Sequence, residues 1–107
     1  MKRKLAGTMW QVKPIYNPQG SFFSSHHCPV VPQPIEPHRL ERQYDVFLEG
    51  DMVLVTGEPV PTVDTHPSKK HHRFVPVMGR DRYGDTHIGY MNETYFVYGS
   101  IWMEKLA

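Results

Sequence analysis

Ten prolines in 107 residues, six of them between positions 14 and 37, set the first limit on what this chain can fold into. A proline inside a helix removes a hydrogen bond and clashes with the preceding turn, and inside a sheet it removes a ladder bond. Residues 14–37 therefore read as neither helix nor central strand, and Asn17-Pro18, Gln19-Gly20-Ser21 and Ser24-Ser25 add turn signals. The segment is expected to be an extended arm, polyproline II over residues 29–37. Phe22, Phe23, Val30, Val31 and Ile35 are costly to leave in water, at roughly 25 cal/mol per Å² of apolar area. Such an arm should lie over the rest of the protein or over another subunit.

Past residue 39 the pattern changes to short apolar runs bounded by glycine. Strands are expected at 44–48, 52–55, 74–78, 86–91 and 95–102, the second being the clearest because it is short, apolar and β-branched. Pro76 should confine its strand to an edge or a bulge. Residues 58–70, with Pro59, Pro61 and Pro67, read as a long loop and a candidate site. Residues 5–12 suit a single amphipathic turn or a short strand, and 103–107 hold good helix formers in too short a run to stand alone. The expected class is all-β: a small five-stranded barrel at 40–107 with an extended Pro-rich N-terminal arm at 1–39.

The segment Gly89-Tyr90-Met91-Asn92-Glu93-Thr94-Tyr95-Phe96 resembles the closing part of SH3 domains, where a Gly-Tyr-apolar strand runs through a 3₁₀ turn into the last strand. Gly50-Asp51-Met52-Val53-Leu54-Val55 is similar to that family's second strand, and more weakly to the opening of KOW-type barrels. The resemblance spans residues 44–98 and implies an SH3-like barrel. It also implies that Tyr44, Tyr90 and Tyr95 line a peptide groove. The family's groove tryptophan and proline are replaced at the matching places by Phe74 and by Asn92 or Glu93. Pro29-Val30-Val31-Pro32 has the PxxP spacing such a groove accepts, so exchange of the arm between copies is one expectation. The candidate protein-binding residues are Tyr44, Phe74, Tyr90, Tyr95, Pro29 and Pro32.

Charge supplies the alternative. The formal net charge is only +1, but residues 36–64 hold seven acids against two arginines, whereas 66–82 hold five basic residues against one acid. Lys69, Lys70, Arg73, Arg80 and Arg82 would form a face for phosphate oxygens if they lay together, giving a nucleic-acid-binding accessory protein. His26, His27, Cys28, His66, His71 and His72 follow no zinc-ligand spacing, so no metal is expected. Cys28 is the one thiol, and its neighbouring histidines point away from it in an extended chain. No nucleophile elbow, P-loop or dinucleotide fingerprint is present. The expectation is a non-enzymatic protein without cofactor or small-molecule substrate, binding another protein or another copy of itself, with no membrane partner. A single cysteine suggests the cytoplasm. A small viral or phage accessory protein would share this compactness and long arm.

Overall fold

The computed structural model describes residues 4–13, 28–35, 45–67, 72–97 and 102–106. Among them the chain is all-β, with no α-helix and none long and apolar enough to cross a membrane. The strands are β1 (Met9–Val12), β2 (Cys28–Val30), β3 (Asp45–Phe47), β4 (Met52–Val55), β5 (Val60–Pro61), β6 (Arg73–Arg80), β7 (Thr86–Asn92) and β8 (Met103–Lys105). A 3₁₀ turn at Glu93–Phe96 follows β7.

Six strands form one open antiparallel sheet in which β7, β6, β4, β1 and β8 are successive neighbours. β5 continues the edge of β6 beyond the end of β4. The division at residue 39 does not follow this pairing, because β1 lies inside the sheet between β4 and β8. Alternation explains why: Trp10 and Val12 are buried while Met9 and Gln11 face the other side. Two core side chains so close to the N-terminus hold this segment in the sheet.

β6 is interior despite Pro76. The proline carbonyl accepts from Thr56 N, so its backbone faces the place where β4 has ended and β5 has not begun. No partner strand needs the missing N–H there, which is why the expected edge position does not hold. The last strand also differs from expectation. Tyr95 and Phe96 belong to the 3₁₀ turn, capped by the Asn92 side chain accepting from Thr94 N. The closing strand is instead Met103–Lys105, paired with β1 in place of the short helical end its residue types suggested. Tertiary pairing outweighs helix propensity of a few tenths of a kcal/mol per residue.

β2 and β3 form a separate two-stranded hairpin, with Cys28 opposite Phe47. Pro29 and Val30 were expected in polyproline II, yet they pair. Val31 exchanges hydrogen bonds with Tyr90 at 2.8 and 2.9 Å, so the backbone of Val31, and by alternation that of Pro29, faces β7 and not β3. Pro29 thus costs the hairpin no ladder bond. Two glycines let the hairpin close on the sheet. A Cβ on Gly89 would stand 2.5 Å from Val31 O, and one on Gly79 would stand 2.5 Å from the Phe47 ring. Phe47, Cys28 and Val30 join Val53, Val55, Val75, Val77 and Met91 in one core.

Candidate functional site

The hairpin, β6, β7 and the 3₁₀ turn enclose a cleft of about 420 Å³. Pro29 and Val31 supply the hairpin wall, Phe74 and Tyr90 the sheet, Asn92, Thr94 and Tyr95 the turn, and Trp102 the approach to β8. Among the described residues no charged side chain lines it. Tyr95 and Trp102 meet edge to face, centroids 5.4 Å apart at 81°, so two half-buried rings stand at right angles along one side.

Local sequence explains how the turn is held. Asn92 Oδ1 accepts from both Thr94 N and Thr94 Oγ1 at 2.9 Å, fixing the start of the 3₁₀ turn. Directly across the ladder Phe74 faces Asn92. One residue further on each strand, Arg73 makes a two-pronged contact with the Glu93 carboxylate at 3.0 and 2.6 Å. That pair is largely exposed, so it fixes geometry more than it adds stability.

Four of the six residues expected to bind protein meet here: Pro29, Phe74, Tyr90 and Tyr95. Phe74 is buried and forms floor, whereas Tyr90 and Tyr95 are partly exposed. Pro32 is exposed and does not line the cleft, and Tyr44 lies outside the described residues. Sequence reasoning missed Val31, Thr94 and Trp102 as site residues. Trp102 was hidden inside an expected strand, and Val31 inside the supposed ligand. Within one molecule the Pro29-to-Pro32 segment is cleft wall, held by β3 and β7, and not an occupant.

The expected basic face is not assembled by the described residues. Arg73 and Arg80 stand at opposite ends of β6, roughly 23 Å apart along the strand. Arg73 is paired with Glu93, and Arg82 donates to Glu49 O. Lys69 and Lys70 lie outside the described residues, as do His26, His27 and His71. Cys28 is fully buried, and burial pushes its thiol up to about 12, which disfavours the thiolate that a nucleophile or a metal ligand needs. Among the described residues no group of three or more histidine, cysteine or acidic side chains is arranged to hold a metal ion.

One charged cluster does stand out. His87 on β7 is held between two carboxylates, Nε2 at 2.8 Å from Asp81 Oδ2 and Nδ1 at 3.2 Å from Asp45 Oδ2. Its ring also meets the Phe47 ring edge to face. The Asp81 hydrogen bond, with the charges of Asp45 and Asp81, raises the His87 pKa against the opposing effect of burial. Asp81 is lowered in turn, first by His87 and then, against burial, by the N–H groups of Asp85 and Tyr83. Asp45 belongs to the hairpin and Asp81 to the turn after β6, so the imidazole ties the two together.

These features define an all-β protein with an aromatic, uncharged cleft between a hairpin and a 3₁₀ turn. Comparison with family models, curated proteins and solved structures returned no match.

Proposed function

We propose that the chain is a non-enzymatic protein-binding module, an SH3-like barrel that receives an extended, proline-containing segment of a partner in the cleft beside the 3₁₀ turn. The observation that carries this reading is the meeting of Pro29, Tyr90, Tyr95 and Trp102 along one uncharged cleft. The passage from β7 through a 3₁₀ turn toward the last strand supports the SH3-like architecture. Aromatic ridges with polar tips suit a polyproline II segment, which is already extended and loses little freedom on docking. The proline and tryptophan of the SH3 groove are absent at Asn92 and Phe74, and Trp102 supplies an indole from a different element.

The test is a fluorescence titration with a panel of proline-rich decapeptides. Saturable binding is expected, weakened about tenfold or more by Tyr95→Ala and by Tyr90→Ser, in the range of interface hot spots. If no peptide saturates, or if both variants bind as the parent does, the reading is wrong.

A further inference from the structure

The sheet has one face turned away from the hairpin. Trp10, Val53, Val77 and Met91 belong to the core shared with Phe47, so by alternation their neighbours along each strand face outward. Pairing arranges those neighbours in rows. Met9 is opposite Leu54, Leu54 opposite Met78, and Met78 opposite Ile88. Leu106 N donates to Met9 O, and the β1–β8 register continues the row to Leu106. The row is apolar from end to end, with Ile88 75% exposed, Leu106 47% and Met78 38%. A sheet face turned to water normally carries polar side chains, and an apolar row across several strands marks an interaction surface.

The next row carries charge. All of β8 borders a second, open cleft of about 1090 Å³, shared with Trp10, Phe96, Lys4 and Lys13. Alternation nevertheless puts Glu104 on the opposite face from Met103 and Lys105, in register with Gln11. Gln11 is opposite Met52, Met52 opposite Arg80, and Arg80 opposite Thr86. Glu104 and Arg80 are exposed, and neither makes an ion pair with a described residue. Three strand spacings, roughly 14 Å, lie between them, so they cannot meet within one chain. Between two chains they can.

We propose that this face is the contact between two copies of the chain, packed sheet on sheet about a two-fold axis that runs along the strands between β1 and β4. A two-fold contact must be self-complementary. This axis sets Met9 over Leu54 of the second copy and Leu106 over its Met78, so apolar row meets apolar row. In the charged row the same axis sets Glu104 over Arg80 of the second copy, and by symmetry Arg80 over Glu104. No other placement of an axis along the strands brings the acid to the base; centred on β4, for example, it would set Arg80 over Gln11. Charge therefore selects a second copy as the occupant and fixes its register. Aligned sheets pack about 10 Å apart at about −30°, a separation that side chains from the two faces fill. Neither row contributes to the proline-peptide cleft, so the contact stands or falls apart from that reading.

The test is sedimentation velocity on the full chain over a concentration series. The parent associates to a dimer, and Arg80→Glu or Glu104→Arg alone weakens it about tenfold or more, because like charges then face each other. An equimolar mixture of the two variants restores the dimer, since one copy then presents two acids and the other two bases at the facing positions. Met78→Lys, at an exposed position in the apolar row, also weakens the dimer while its urea midpoint stays that of the parent. A chain that stays monomeric at every concentration overturns the proposal, as does a dimer that the charge variants or Met78→Lys leave unchanged, or a mixture no tighter than either variant alone. Dissociation of the dimer by a proline-rich decapeptide also overturns it, because the contact then lies in the aromatic cleft.

Discussion

The two clefts flank one short element, yet they are built on opposite principles. The cleft that receives Tyr95 and Trp102 is walled by a second structural unit, the β2–β3 hairpin, and no described charged residue lines it. The cleft that receives Phe96 and Met103 is lined, among the described residues, by β1, β8, the turn and the segment before β1, and three lysines stand on it. Adjacent residues in the chain thus serve one aromatic surface and another on which lysines stand. The first cleft takes one wall from the hairpin, whereas no described residue of the hairpin lines the second.

The largest test of that separation is Phe47→Ala. The side chain is fully buried between the hairpin and the sheet, so its loss should cost about 3–5 kcal/mol. Urea unfolding should show that loss, and proline-peptide binding should fail with it. Gly89→Ala comes next. Its Cβ would meet a backbone oxygen at 2.5 Å, which cannot move without lifting β2. A cost of roughly 1–3 kcal/mol is expected from such overpacking, with weakened proline-peptide binding. Unchanged proline-peptide binding in this variant would show that the cleft does not depend on the hairpin.

A smaller effect comes from His87. Its folded pKa is raised above the ordinary 6.5, so its contribution is complete below that value and is lost as pH rises through the raised one. Asp81 is lowered, so its contribution is present above the ordinary carboxylate range and is lost as pH falls through the lowered value. The hairpin clamp is strongest between the two. Urea midpoints measured across neutral pH should fall on the alkaline side, and His87→Gln should flatten that fall. An identical pH slope in the variant would contradict the clamp. The smallest effect is expected from Arg73→Ala, below about 1 kcal/mol in thermal unfolding, because the Arg73–Glu93 pair is exposed.

Much of the sheet was legible in the sequence because its signals are local. Met52–Val55 is a β-branched run between glycines, and β7 ends on the Asn92 cap that starts the 3₁₀ turn. The errors share a physical cause: they fall where long-range pairing decides. β1 is too short to announce itself and is fixed by contacts with residues some forty and ninety positions away. Pro29 was expected in polyproline II and Pro76 at an edge or a bulge, but Pro29 turns its missing N–H away from β3, and Pro76 turns its own to the gap between β4 and β5. The neutral site was half visible. Tyr90, Tyr95 and Phe74 came from the resemblance to SH3 domains, and Pro29 from its spacing to Pro32. Trp102 reaches the site only because the chain after the 3₁₀ turn returns to β1, which no local pattern states.

The most direct measurement of the central claim is backbone amide chemical-shift mapping with a proline-rich decapeptide on the full chain. The predicted result is a set of shifts at Val31, Tyr90, Thr94, Tyr95 and Trp102, with Lys4, Met103 and Lys105 unmoved. Shifts centred on Lys4, Met103 and Lys105, or none at Tyr95 and Trp102 at saturation, would contradict it.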